Sequence, residues 1–329
     1  MKRPIAQITG TGRYCPARVL TNADLEKLVE TSDQWIQERS GIRERRISEA
    51  HETIAFMATE AAAEALGDAG IGPEELDAII LATASPDRLL PATSCDLQAS
   101  LGAFNAAAFD IDAACSGFLY GLTVGEGLMS AGNARTVLVV GAERLSTIVN
   151  YQDRSTCILF GDGVGVAVLQ PADDDGRGLL STYVKSDGRL ADLLHRPSGG
   201  SVRPVDASVL ADQSHMIQMA GREVFKHAVR SMSDACDHAL ERAGLTADQI
   251  DLLIPHQANV RIIDATAKHA GIPADKVYIN VDRYGNTSAA SIPIALDECV
   301  RDGRIKQGDI VLLVAFGAGF TWASCAVRW

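Results

Sequence analysis

The sequence predicts an α/β protein built from two duplicated halves of alternating strands and helices, and three observations lead there. An internal repeat runs at a fixed offset of 174 residues: ALGDAGIGPEELDAII, residues 65–80, aligns without gaps on ALERAGLTADQIDLLI, residues 239–254, and VLVVG (137–141) falls on VLLVA (311–315). Each copy shows strand-like apolar runs alternating with helical segments, the pattern of parallel α/β units. A chain of 329 residues with 47% hydrophobic and 22% charged residues can build a core for two ordinary domains or one large one.

Taken in order, each copy begins with a helix that ends at an Ala-Gly pair, and Gly70 and Gly244 stand where a left-handed C-terminal cap belongs. Asp77 and Asp251 then lead into short apolar strands. Further on, VLVV and VLLV read as strands buried on both faces, because neither alternates with polar residues. Between the copies, PADDDGRG (171–178) has the composition of a seam, which divides the chain into residues 1–174 and 175–329. Just before it, FGDGVGVAVL invites comparison with a phosphate-binding loop. It lacks the GK[ST] ending, and β-branched residues follow where a helix should begin, so it reads as a tight turn into a core strand.

A net charge of −12 argues against a general nucleic-acid or membrane-surface binder, both of which need a broad basic face, while leaving room for a local basic patch. The opening MKRPIAQITGTGRYCPARVL lacks the unbroken apolar stretch of a signal peptide, and no window reaches the length of a membrane span. The seven cysteines are odd in number, widely spaced and without a CxxC pair, so neither a disulfide framework nor a metal site is expected. Most should be buried reduced thiols in a cytoplasmic protein.

Duplicated halves of this kind gather their site along the shared face, so functional residues are expected from both copies. DIDAACSGFLYGL (110–122) puts Cys115 where a strand hands over to a helix. A thiol there meets free backbone N–H groups and the positive end of the helix dipole, which favours thiolate. The small neighbours Ala113, Ala114, Ser116 and Gly117 let a substrate approach. Shifted by the offset, Cys115 lands on Ala289 within YGNTSAAS, another small-residue helix start, so only the first copy carries a thiol. Position alone leaves a buried structural cysteine and a nucleophile both open. His256 directly follows the second-copy strand DLLI, at the strand end where α/β sites collect side chains, with polar Gln257 and Asn259 beside it. Asn286 lies at the turn opening the helix that pairs with the Cys115 helix, where a capping role also fits.

Together DIDAACSGFLYGL, IPHQANVRII, DRYGNTSAAS and AFGAGFTW closely resemble β-ketoacyl-acyl-carrier-protein synthase III, the initiating condensing enzyme of bacterial type II fatty-acid synthesis. TSDQWIQERSGIRERR and FGDGVGVAVL extend the likeness over nearly the whole chain. The resemblance implies a thiolase-like fold, its halves packed as five αβαβα layers, and a homodimer. It implies that Cys115 is the acylated nucleophile and that His256 and Asn286 complete a Cys-His-Asn site, with the backbone N–H groups of Cys115 and Ala318 as oxyanion hole. Ala318 stands where some relatives have a third glycine, a change without consequence unless φ is positive there.

The same resemblance puts Trp35, Arg39, Arg154 and Asn259 on CoA, and Leu90, Leu145 and Phe316 around the acyl group. It puts Lys226, Arg261 and Lys268 on an acidic malonyl-acyl-carrier protein; Arg261 and Lys268 fall on one helix face, and His269 replaces a lysine of some relatives. Acyl-CoA is then a substrate, and no cofactor or metal is expected. Leu90 would close the acyl pocket of the partner subunit, and being smaller than the phenylalanine of some relatives it implies tolerance of primers longer than acetyl. Three other readings share parts of the pattern. A condensing enzyme of a polyketide or quinolone pathway would use the same triad, a cysteine hydrolase would release free acid regardless of malonyl donors, and a binding module would leave Cys115 unacylated.

Overall fold

The computed structural model describes residues 4–329, and each of its two large sheets draws its strands from one side of the 171–178 seam. In the first sheet, β1 (Ala6–Tyr14), β2 (Ala78–Ala82), β3 (Ala107–Ile111), β4 (Val137–Arg144) and β5 (Asp162–Pro171) lie in the order β1-β5-β4-β2-β3. In the second, β6 (Gly178–Ser186), β7 (Leu252–Pro255), β8 (Ile310–Gly317) and β9 (Thr321–Arg328) lie in the order β7-β8-β9-β6. The repeat reaches the pairing register: Ala78 faces Val137 in one sheet and Leu252 faces Val311 in the other, one offset apart at both positions. Where β2 meets β3, the second sheet keeps only a single bridge between Leu253 and Val277.

The expectation of parallel units is corrected at one edge of each sheet. β2 runs parallel to β3 and β4, as β7 does to β8, but β5 runs antiparallel to β4 and β1, as β9 does to β8 and β6. Chain length explains the second case: only residues 318–320 separate β8 from β9, and so short a connection can only turn back.

The helices that matter for the site are α1 (Asp33–Ser40), α2 (Ile54–Ala69), α3 (Thr93–Leu101), α4 (Gly117–Ser130), α5 (Gly221–Ala243), α6 (Val260–Ala270) and α7 (Ser291–Arg301). α2 and α5 end on Gly70 and Gly244 in the left-handed conformation, as expected. The period-two placing of apolar side chains on β4 and β8 then sorts the layers. Val137 and Val139, with Val311 and Leu313, turn inward onto α4 and α7. Leu138 and Val140 pack under α2, and Leu312 and Val314 under α5 and α6. Five layers result: outer helices, first sheet, the α4/α7 pair, second sheet, outer helices. Strands covered on both faces need no polar alternation, and each fully buried Val or Leu contributes roughly 1.5–3 kcal/mol by leaving water.

FGDGVGVAVL enters β5 as a buried strand, as expected, and Gly165 lies so close to the backbone of Pro293 and Ile294 on α7 that a side chain would collide. α7 is tied to the first half by charge as well: Asp297 accepts a hydrogen bond from Thr11 at 2.8 Å and pairs with Arg13, both on β1. All seven cysteines are unpaired, five of them buried. Among the described residues, no helix is long and apolar enough to cross a membrane.

Candidate active site

Beyond β3 the chain passes through Asp112 and Ala113 into a single helical turn, Ala114–Ser116, and then α4. Asp112 Oδ1 accepts the Ala114 N–H at 3.1 Å, and Ala114 sits at φ 45°, a left-handed value that costs an alanine about 1–2 kcal/mol. One offset away the second half builds the same turn. Asn286 Oδ1 accepts the Ser288 N–H at 2.8 Å, and Ser288 sits at φ 46°. Cys115 thus follows Ala114 as Ala289 follows Ser288. Such strain persists only where the surroundings hold it, and here the two turns pack on each other, Gly117 against Ala289.

Cys115, His256, Asn286, Phe316 and Gly317 line one cavity of about 110 Å³, whose wall also includes Met219, Val224, Phe225 and Ile262. The wall is apolar apart from a few polar groups, the kind of lining that receives a small-molecule arm. Gly317 has no room for a side chain, because a Cβ there would lie 2.6 Å from the Cys115 nitrogen. Thr321 Oγ1 is 2.8 Å from the Ala113 carbonyl oxygen and 3.2 Å from that of Ala318, clamping the 317–319 loop against the Cys115 turn. Ala318 does not have positive φ, so its methyl group carries no backbone strain.

Burial pushes the Cys115 thiol up to about 12; a hydrogen bond from Ser288 pulls the other way, while Glu143 and Asp112 add to the rise. The expectation of a ready thiolate is corrected here. The helix start is present, but the sulfur is enclosed, and desolvation of the charged form outweighs the dipole. Cys115 rests as a neutral thiol.

His256 lies directly beyond β7, its backbone N–H donating to the Val314 carbonyl at 2.8 Å. Burial drives the imidazole down to about 3, so the ring is neutral at any physiological pH. Its Nδ1 is 2.7 Å from Ser291 Oγ, and the same oxygen is 3.4 Å from the Gln257 nitrogen. When the Ser291 hydroxyl donates to Nδ1, the ring proton sits on Nε2. Asn286 commits its oxygen to the Ser288 N–H, so its Nδ2 is the edge left to donate.

The remaining sequence-predicted residues fall into distinct places. Half-buried Trp35 has the guanidinium groups of both Arg39 and Arg154 over its ring, 4.5 and 4.7 Å from the centre. Asn259 lines the cavity while capping α6, its oxygen accepting the Arg261 N–H at 2.9 Å and its nitrogen donating to the Arg39 carbonyl at 2.8 Å. Gln257 is spent on the backbone: it donates to the Pro255 and Tyr278 carbonyls at 2.8 and 3.0 Å and accepts the Asn280 N–H at 3.0 Å. Phe316 is on the cavity wall, whereas Leu145 packs in an adjoining apolar cluster with Ile148, Val149 and Cys157. Leu90 is 87% exposed and stands off the cavity. Lys226, Arg261 and Lys268 are exposed on α5 and α6; Lys226 pairs with Glu223 at 2.8 Å, and Arg261 stands over the cavity-lining Phe225 at 5.6 Å. His269 pairs with Asp237 at 3.0 Å.

Three polar residues at the site escaped the sequence reading: Ser288 and Ser291, noticed only as small members of NTSAAS, and Glu143. Ser85 Oγ donates to the buried Glu143 carboxyl at 2.5 Å and the Ala84 N–H approaches at 3.3 Å, while burial pushes it up to about 7. The repeat itself held the signal, since the offset maps Gly317 onto Glu143, an acid that follows the apolar run VLVVGA.

The family profile described as 3-oxoacyl-[acyl-carrier-protein (ACP)] synthase III matches residues 109–188, and that of its C-terminal part matches residues 240–329. Over 324 residues, 98% of either chain, the sequence is 54% identical to the beta-ketoacyl-[acyl-carrier-protein] synthase III of Caldanaerobacter subterraneus subsp. tengcongensis. The crystal structure of 3-oxoacyl-[acyl-carrier-protein] synthase III from Aquifex aeolicus VF5 matches with a TM-score of 0.91 at 50% identity, covering 98% of this chain and 100% of that one. The priming beta-ketosynthase of the R1128 polyketide biosynthetic pathway matches with a TM-score of 0.90 at 36% identity, covering 99% and 96% of the two chains.

Proposed function

The chain belongs to the 3-oxoacyl-[acyl-carrier-protein] synthase III family, and we propose that Cys115, His256 and Asn286 carry its reaction. That reaction is the decarboxylative Claisen condensation of an acyl-CoA primer with malonyl-acyl-carrier protein, the initiating step of fatty-acid synthesis. The observation that supports the assignment is a single cavity wall on which a thiol from one duplicated turn meets an amide from the other and a neutral imidazole.

In the first half-reaction Cys115 attacks the thioester carbonyl, and the backbone N–H groups of Cys115 and Ala318 receive the oxyanion. Each such donor is worth roughly 2.7–4 kcal/mol in comparable sites. The C–S bond to CoA breaks, CoA leaves as a thiol, and the acyl group stays on Sγ. In the second half-reaction the malonyl group loses CO2, and the electron pair left behind spreads onto the thioester oxygen as an enolate. His256 Nε2–H and Asn286 Nδ2–H donate to that oxygen. Neither donor is lost by titration near neutrality, since the imidazole is already held neutral and an amide does not ionise. The carbanion attacks acyl-Cys115, the 3-oxoacyl-carrier protein leaves, and the sulfur takes a proton from water. No electrons change hands with an outside group, so the reaction as written needs no cofactor.

Trp35, Arg39, Arg154 and Asn259 are assigned to CoA: an indole flanked by two cations suits an adenine and its phosphates. Lys226, Arg261 and Lys268 are assigned to an acidic carrier protein, beside the cavity wall. Phe316 and Leu145 bound the acyl end, and Leu90 reaches the site of a partner subunit in a homodimer, a reading supported by so exposed a leucine. The halves divide as residues 1–174 and 175–329, and the unpaired cysteines favour the cytoplasm. A condensing role in polyketide synthesis is the second reading, favoured only by the 36% relative. Turnover with malonyl-carrier protein against malonyl-CoA separates the two. A strong preference for the carrier supports the assignment, and indifference to it contradicts it.

A further inference from the structure

Glu298 is a buried acid on α7 that the condensation as described leaves without a task. Five hydrogen bonds reach its carboxylate, all from residues 278–284, the stretch that leads into Asn286. Oε1 accepts from Tyr284 Oη at 2.8 Å and Arg283 Nη1 at 3.0 Å. Oε2 accepts from Asn280 Nδ2 at 2.7 Å, Tyr278 Oη at 2.9 Å and Arg283 Nη2 at 3.0 Å. Burial alone would raise such a carboxyl, but the hydrogen bonds from Asn280 and Tyr284 and the charge of Arg283 outweigh it and hold the group below its ordinary value. Both atoms must be acceptors, because Arg283 donates to each of them and has no acceptor of its own.

The same stretch is tied to the residue that follows His256. Gln257 Oε1 accepts the Asn280 N–H at 3.0 Å, and Gln257 Nε2 donates to the Tyr278 carbonyl at 3.0 Å. Asn280 is therefore a joint, its backbone held from the His256 side and its side chain held by Glu298. From there the chain makes one helical turn, Val281–Tyr284, passes Gly285 at φ 63° and reaches Asn286, whose N–H donates to the Leu159 carbonyl at 2.8 Å. We propose that Glu298 is a positioning residue for the malonyl half-reaction, fixing where Asn286 stands relative to His256. Two donors must meet one enolate oxygen, and a misplacement of about 1 Å can cost on the order of 100-fold. None of the five hydrogen bonds goes to the Cys115 turn or to the 317–319 loop, so acylation does not depend on them.

The inference rests on the assignment of Cys115, His256 and Asn286 above, and the experiment keeps the two apart. Acylation by labelled acetyl-CoA is timed by rapid quench and intact mass. Pre-acylated enzyme is then mixed with malonyl-carrier protein at a series of concentrations, and CO2 and 3-oxoacyl product are followed. The proteins compared are wild type, Glu298→Gln, the double variant Tyr278→Phe/Tyr284→Phe, and Asn286→Ala as reference. Glu298→Gln turns an N–H toward Arg283 whichever way its amide lies; it should acylate within about 2-fold of wild type while the maximal rate of condensation falls about 10–100-fold, with the half-saturating carrier concentration nearly unchanged. If Glu298→Gln does not fold, the double variant carries the test, since it keeps the Arg283 ion pair; it should slow condensation about 10-fold and leave acylation alone. Equal losses in the two half-reactions, a loss confined to carrier affinity, or condensation at the wild-type rate in the folded variants overturns the proposal. Failure of wild type to acylate, or condensation by Asn286→Ala at the wild-type rate, would instead overturn the underlying assignment.

Discussion

The turn at 112–115 and the turn at 286–289 have the same backbone and, on the proposed assignment, divide the chemistry between them. Each opens with a side-chain oxygen that accepts the N–H two residues on, each then places a residue near φ 45°, and each leads into one of the paired central helices. In the first, the opening position is Asp112 and the last is Cys115; in the second, they are Asn286 and Ala289. On the proposed assignment, the duplicated turn contributes its last residue as nucleophile in one copy and its first as amide donor in the other. The strands behind them diverge in the same way. At equivalent ends of β8 and β4, Gly317 makes room for the Cys115 backbone and Glu143 fills the space beside Ser288.

The sharpest way to break this comparison is to make the first turn like the second. Cys115→Ala should abolish acylation and 3-oxoacyl product, while slow release of CO2 from malonyl-carrier protein continues because His256 and Asn286 remain; product and CO2 assays read the two separately. Gly317→Ala pushes a methyl group to within 2.6 Å of the Cys115 nitrogen, where the oxyanion donor must stay aligned. The expected loss in single-turnover acylation is about 10²–10³-fold, the scale of removing one such donor.

Titration gives a third handle. His256 sits at about 3 when folded and near 6.5 when unfolded, so between those values the unfolded chain binds a proton that the folded chain refuses. Stability should fall as pH drops from about 6.5 toward 3, and His256→Asn should lessen that fall by on the order of 2–4 kcal/mol in denaturant melts. Ser291→Ala should leave acylation intact but slow condensation by pre-acylated enzyme about 10-fold, since Nδ1 loses the partner that fixes the tautomer. Finally, Ala289→Cys should place a thiol in the second turn that takes up no acyl group, because that position is enclosed against Gly117 and Gly141. An acyl group mapped by mass to the new thiol would blur the distinction between the turns.

Much of this was legible in the sequence because the duplication preserves spacing. The offset that aligned VLVVG with VLLVA also set the pairing of Ala78 with Val137 and of Leu252 with Val311. It marked Cys115 and Ala289 as counterparts, although position alone left the thiol's role open. The antiparallel edges were not legible, since the links before β5 and β9 differ in length and carry no repeat. The state of the Cys115 thiol was misread for a different reason: a helix start is visible in a sequence, whereas the enclosure that pushes the thiol up to about 12 depends on both halves packing around it. Ser291 and Glu143 belong to no periodic pattern, and their surroundings, the His256 ring beside one and Ser85 with Ala84 beside the other, are brought to them only by the fold.

The central claim is that a thiol from one half and donors from the other perform a single condensation. It is tested most directly by loading the enzyme with labelled acetyl-CoA, mapping the label, and then adding malonyl-acyl-carrier protein. The account predicts label on Cys115 alone, followed by its transfer to 3-oxoacyl-carrier protein with release of CO2. Label on another residue, or its release as free acetate at a rate unaffected by the malonyl donor, would contradict it.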